Sequence, residues 1–145
     1  MTHRPALLSD VPLLAALNQQ LIRDDGHRNR MTVAELGTRM HGWLESGEYG
    51  ATIFEAGAEV VAYALHREQV AEIYLRQFFV VRHRRREGVG RGAMRILLEE
   101  VWPRNKRLTV EVLSANLTAL SFYRALGYGD YAVTLEIFPA AGGVL

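Results

Sequence analysis

The chain has 145 residues, 17 basic against 16 acidic side chains, and a formal net charge of +1. That length suffices to bury one hydrophobic core, so a single domain over residues 1–145 is expected, and the balanced charge argues against a general nucleic-acid binder. The absence of cysteine excludes disulfides, cysteine-ligated zinc and a cysteine nucleophile, and no apolar run suits a bilayer span or a secretory leader, which makes a cytoplasmic location and no membrane partner the expectation.

Arg4–Leu8 reads as a short first strand, with Ser9 as N-cap of a helix carrying Leu13, Leu14, Leu17 and Leu21 on one side. The polar turn Asp24–Asn29 ends that helix. Thr32 and Glu35 have capping-box spacing for a second helix with Leu36, Met40, Trp43 and Leu44 on its apolar side, closed by Gly47 and Gly50. Ala51–Glu55 and Val60–His66 flank Ala56-Gly57-Ala58 as a hairpin, and Ala71–Val81 follows as a long strand with room for a bulge. Val89–Trp102 is amphipathic at helical spacing, Arg107–Leu113 is a strand, and Asn116 caps a helix to Ala125 with Gly127 past its end. Tyr131–Phe138 reads as a last strand.

Between the long strand and the third helix stands Arg82-His83-Arg84-Arg85-Arg86-Glu87-Gly88-Val89-Gly90-Arg91. A helix N-terminus presents unpaired N–H groups and about half a positive charge, and glycines there let a phosphate approach the backbone. Arginine adds forked donors suited to phosphate oxygens. A solvated turn and a nucleic-acid patch are the competing explanations of the same residues. Gly88-x-Gly90-x-x-Ala93 with Glu111 downstream also satisfies a permissive dinucleotide fingerprint. Arg82–Glu87, however, separates the strand from the first glycine, and Glu111 lies inside an apolar run, so that match reads as accidental. The five histidines have no metal-ligand spacing, and no metal is expected.

Arg85-x-x-Gly88-x-Gly90, followed by a strand, Asn116, Phe122-Tyr123 and Gly127-Tyr128, resembles the GNAT superfamily of acetyl-CoA-dependent N-acetyltransferases over the C-terminal two-thirds of the chain. The resemblance implies an α/β fold, a mixed and mostly antiparallel sheet of six to seven strands flanked by about four helices and splayed between strands four and five. It implies that the pantetheine arm of acetyl-CoA enters the splay beside Phe79, Val80 and Val81, with Asn116 on its amides. The pyrophosphate would rest on the backbone of Arg85, Arg86, Glu87, Gly88, Val89, Gly90 and Arg91. Tyr123 matches the family position that protonates the departing thiolate, and a phenol carries its proton at neutral pH.

The implied activity is direct acetyl transfer to a primary amine of a small molecule or peptide, as an acyltransferase. An alkylamine of pKa about 10.4 needs about 4–5 kcal/mol to reach its neutral form at pH 7, so a base or a desolvating channel has a purpose. Glu72 and Glu111 are the candidate bases, each equally readable as a solvated strand carboxylate. On the acceptor side stand Asp24, Asp25 and His27, with Glu35 near them; acidic groups favour a cationic amine, and a plain interhelix turn explains them as well. Arg76 and Gln77 interrupt an apolar strand, and polar groups there need a partner or a cleft; Arg76 would suit a carboxylate. A non-catalytic acyl-CoA sensor or interaction domain on the same fold is the alternative. Tyr131–Phe138 pairs either within the sheet or across a homodimer.

Overall fold

The computed structural model describes residues 1–140. Its sheet runs β1 (Thr2–Pro5), β2 (Gly50–Ala56), β3 (Glu59–Glu68), β4 (Glu72–Val80) and β5 (Arg107–Val110), in that spatial order. The first four strands are antiparallel neighbours, and β5 lies parallel to β4. Helices α1 (Val11–Asp25) and α2 (Val33–Ser46) carry the core of one face, and α3 (Val89–Ile96) and α4 (Leu117–Ala125) that of the other.

Local chemistry explains most boundaries. Thr32 Oγ1 accepts the Glu35 N–H at 3.2 Å while Glu35 Oε1 accepts the Thr32 N–H at 2.9 Å, the reciprocal capping box expected for α2. Gly47 ends that helix at φ 76°. The Ser9 cap expected for α1 does not form. Leu8–Asp10 is a short 3-10 turn, and Asp10 turns its carboxylate onto Arg4 and the Leu7 N–H, so the helix begins at Val11.

Leu14, Leu17, Met40, Ile53, Tyr63, Leu65 and Phe79 fill the α1–α2 side of the sheet. Phe54, Val61, Ala62, Ala64, Ile73, Leu75, Met94 and Leu97 fill the α3–α4 side. The third helix is α-helical only to Ile96; Leu97–Val101 widens into a π turn, closed by the Trp102 N–H on the Leu97 carbonyl at 2.8 Å.

The described sheet has five strands, fewer than the six to seven expected. Tyr131–Phe138 forms no strand and pairs with none among the described residues, and Tyr131, Val133, Leu135 and Ile137 are each at least 79% exposed. Side-chain contacts hold it instead: Arg107 lies over the Tyr131 ring, and Arg28 meets both Glu136 and the Phe138 ring. The β5 strand also stops at Val110 and not at Leu113. Its partner strand leaves it there.

Candidate active site

β4 and β5 stay in register from Glu72↔Arg107 to Leu75↔Val110 and then separate. On the other side of β4 the pairing moves from Leu65↔Gln77 to His66↔Leu75, which leaves Arg76 as one extra residue. Such a bulge bends the strand and resets its alternation. Arg76 and Gln77 are therefore both directed to the α1–α2 side: Arg76 Nη1 lies 3.4 Å from the Tyr49 hydroxyl, and Gln77 Nε2 lies 3.3 Å from Asn18 Oδ1. Gln77 also accepts from the Tyr63 hydroxyl at 2.9 Å. Asn18, Tyr63 and Gln77 form a buried polar chain at the root of the splay.

The Val81 N–H bonds to the Val61 carbonyl on β3, so by strand alternation the Val80 peptide faces the splay, as does that of Phe78. Arg85 Nε donates to the Val80 carbonyl at 2.9 Å. Of the three strand positions expected to line the pantetheine arm, Val80 presents its backbone to the splay. Phe79 and Val81 direct theirs to β3, and the Phe79 side chain is buried in the core below Arg85. Phe78 stacks on Phe122 of α4 at 6.0 Å between ring centroids, which connects the two walls.

Beyond β4 the chain makes a 3-10 turn over Arg82–Arg84, passes through Arg86 at φ 63°, and enters α3 from Gly88 at φ 80°. Arg86 is the one non-glycine at positive φ among the described residues, a strained conformation for a residue with a Cβ. The first backbone bond into the helix is from the Gly92 N–H to the Gly88 carbonyl at 2.9 Å. The amides of Gly88, Gly90 and Arg91 thus find no acceptor among the described residues. An added Cβ at Gly88 would meet open space, whereas one at Gly90 would lie 3.4 Å from Phe122 and 3.5 Å from Val80. Open amides at a helix N-terminus beneath a glycine cradle fit a pyrophosphate.

Three arginines of this loop, Arg82, Arg84 and Arg85, are paired. Asp24 of α1 binds both Arg82 and Arg85, the latter at 2.6 Å, and these partners, Arg82 first, hold its carboxyl below the usual carboxylate range. Glu59 binds His83 and Arg84, and Glu87 binds Arg84 at 3.0 Å. Asp25 belongs to the same end of α1 but reaches the other wall, accepting from Asn116 Nδ2 at 3.2 Å. Burial, reinforced by Asp24, raises the Asp25 carboxyl. Asn116 Oδ1 caps α4 through the Ala119 N–H at 3.1 Å.

Tyr123 stands on α4, edge-on to Phe122 and to Tyr128. Burial raises its phenol well above the ordinary value, with smaller contributions from Tyr128 and Asp25, so it is a neutral proton carrier at any physiological pH. No described residue hydrogen-bonds its hydroxyl. The Tyr128 hydroxyl is buried without a partner, and burial pushes it up to about 12.

The expected acidic residues separate. Glu111 follows the last paired residue of β5; burial raises the nearby Tyr74 phenol, and the Glu111 charge adds to that shift. Glu72 lies at the closed end of the β4–β5 pair, where it accepts from Thr109 and faces Arg107 at 3.7 Å. His27 is exposed and its Nδ1 accepts the Asn29 N–H. Asn18, Tyr63, Arg39, Trp43 and Tyr49 are not among the site residues the sequence points to. Asn18 was findable, being a polar residue on the apolar stripe of Leu14 and Leu21.

Among the described residues no group of three or more His, Asp or Glu side chains is placed to hold a metal, and no helix is long and apolar enough to cross a membrane. A parallel strand pair that separates beside a glycine-containing helix N-terminus is the arrangement the resemblance implies for the site. The family comparison agrees: the acetyltransferase (GNAT) family model matches residues 16–128, and the chain belongs to that family. No curated protein matches the chain. Among solved structures it is similar to a point mutant of the BH1408 protein from Bacillus halodurans, with TM-score 0.78, 19% identity, and 94% of this chain and 98% of that one covered. It is similar to a predicted acetyltransferase with acetyl-CoA from Clostridium acetobutylicum, with TM-score 0.75, 18% identity and 94% of each chain covered. A ribosomal-protein-alanine N-acetyltransferase from Brucella melitensis biovar Abortus 2308 has TM-score 0.74 at 12% identity, over 94% of this chain and 99% of that one. At these identities the likeness is one of fold.

Proposed function

We propose that the chain transfers the acetyl group of acetyl-CoA directly to a primary amine of a small molecule or peptide. The observation that carries this is the coincidence of the open amides from Gly88 to Arg91 with the unpaired β4 edge at Phe78–Val80, one suited to a pyrophosphate and the other to an extended amide arm. Acetyl-CoA supplies an activated acyl group on a thiolate leaving group. Asn116, whose amide now meets Asp25, binds the arm in this scheme, and the backbone of Arg85–Arg91 holds the phosphates.

The inward-facing N–H of Val80 or Phe78 donates to the acetyl oxygen as charge develops there. The amine nitrogen forms a bond to the acetyl carbon, the carbon–sulfur bond breaks, and Tyr123 gives its proton to the departing sulfur. The amine loses a proton through water to Glu111, which releases it to solvent, and Tyr123 is reprotonated from solvent. Glu72, engaged at the far end of the strands, takes no part in this scheme. With no cysteine in the chain, transfer needs no acyl-cysteine intermediate. The exposed strip Tyr131–Phe138 is assigned to contact with a second copy, making a homodimer of single-domain, cytoplasmic subunits.

Calorimetric titration with acetyl-CoA tests the coenzyme site. Micromolar binding abolished by Gly88→Glu is expected, followed by thiol release across an amine panel. A folded wild type that does not bind acetyl-CoA overturns the proposal.

A further inference from the structure

We infer that the amine acceptor carries a carboxylate, which Arg39 and Arg76 hold beside the Trp43 ring. This rests on the acetyl-transfer proposal above and names its substrate class.

Arg39 of α2 and Arg76 of the β4 bulge place their guanidinium carbons 4.6 and 4.7 Å from the centre of the same Trp43 ring. Around them the molecule is generous with counter-ions: Asp10 and Glu55 meet Arg4, Asp24 meets Arg82 and Arg85, and Glu59 and Glu87 meet Arg84. Arg39 and Arg76 have no carboxylate within salt-bridge distance among the described residues. Their hydrogen bonds are long, 3.5 Å from Arg39 to Asn18 Oδ1 and 3.4 Å from Arg76 to the Tyr49 hydroxyl. Arg39 Nε is buried and has no acceptor among the described residues. Burial and the neighbouring charge of Arg76 both work against the Arg39 cation.

Two guanidinium groups held on one aromatic ring without an anion repel each other, and a bound anion converts that repulsion into attraction. Their donors are planar and forked, which matches a carboxylate. Glu35, which lines a groove with Arg39, accepts the Thr32 N–H and makes no ion pair with either arginine. Placement makes this an acceptor site and not a distant anion site. Arg76 is the first β4 residue past the Leu75↔Val110 pair, where the splay begins and the thioester must end. Tyr49, 4.8 Å from Trp43 between ring centroids, continues an aromatic wall for the body of the acceptor. A polycationic amine would meet two like charges there.

The test is calorimetric titration of the whole chain with N-acetyl derivatives of the common amino acids and with their amides. These are the products transfer would give with and without the carboxylate. The expected result is that at least one acid binds, that its amide binds about tenfold or more weakly, and that Arg76→Gln and Arg39→Gln each weaken the acid about tenfold. Acetyl-CoA affinity should stay within about twofold of wild type in both variants, because neither residue lies on the pyrophosphate loop. Arg76 is exposed, so its variant is readable even if Arg39→Gln fails to fold. Equal binding of acids and amides, or no binding of any acid, would overturn the inference. Failure of acetyl-CoA to bind strikes the transfer proposal instead, and the acid–amide comparison stands without it.

Discussion

Asp25 and Asn116 are 91 positions apart in sequence, yet a 3.2 Å hydrogen bond joins the last turn of α1 to the cap of α4. One residue earlier, Asp24 grips Arg82 and Arg85 on the opposite side. The end of α1 therefore bridges the two walls of the splay at its mouth, and the acceptor-side helix and the coenzyme loop are set by the same turn.

Asp25 should cost stability at neutral pH. Its folded carboxyl titrates above the ordinary value of about 3.9, so the native state binds the proton more tightly than the unfolded chain, and stability falls as pH rises between those two values. Asp25→Asn should melt higher than wild type at pH 7, with the gap closing below about pH 4. Thermal melts across that range measure it, and a variant less stable at neutral pH would be the contrary result.

His66 works in the other direction. It is largely buried against Trp102 and bonded to Thr52, and burial lowers its ring to about 4. A base depressed in the folded state contributes stability at neutral pH that is lost as pH falls from about 6.5 through the folded value, by at most about 3 kcal/mol. His66→Gln should flatten the decline in denaturant midpoint between those pH values, even if its own midpoint at pH 7 is lower.

The two loop glycines should fail differently. Gly88 sits at φ 80°, where alanine costs about 1–2 kcal/mol although no atom opposes its Cβ. Gly90 is helical, and alanine there gains about 0.5–1 kcal/mol of helix preference while pressing on Phe122 at 3.4 Å. Gly88→Ala should therefore lower both stability and acetyl-CoA affinity, and Gly90→Ala should act mainly on affinity. Paired denaturation and calorimetry separate them.

Tyr123→Phe should lower kcat by about 100-fold or more and leave acetyl-CoA affinity within about twofold. The hydroxyl has no partner to lose among the described residues, so the variant should fold with little change in melting temperature. A kcat loss below about threefold would remove Tyr123 from proton transfer.

Elements governed by their own residues were legible in the sequence. The Thr32–Glu35 capping box, the Gly47 stop, the Gly57 turn at φ 64° and the Asn116 cap all depend on side chains within a few positions. The Arg85–Gly90 loop was legible for the same reason. Features that depend on distant partners were not. β5 ends where β4 leaves it, the π turn at Leu97–Val101 accommodates the packing of Leu97 and Trp102, and Ser9 loses its cap to the bond between Arg4 and Asp10. The polarity of Arg76 and Gln77 signalled a cleft, but the bulge that directs both to one side is a relation between two strands. Arg39 and Trp43 looked like ordinary helix positions until β4 brought Arg76 to the same ring.

The unpaired segment after α4 has a consequence for handling the protein. Tyr131, Val133, Leu135 and Ile137 alternate like the wet side of a strand written in apolar residues, and among the described residues only Asp130 and Glu136 place carboxylates along it. Short charge-poor stretches of this kind template cross-strand association between molecules, and acidic neighbours act as gatekeepers. Glu136, fastened to Arg28, is thus a solubility device as much as a tether. Raising the salt concentration screens that charge, so at high ionic strength any strip not covered by a second copy should draw further molecules together.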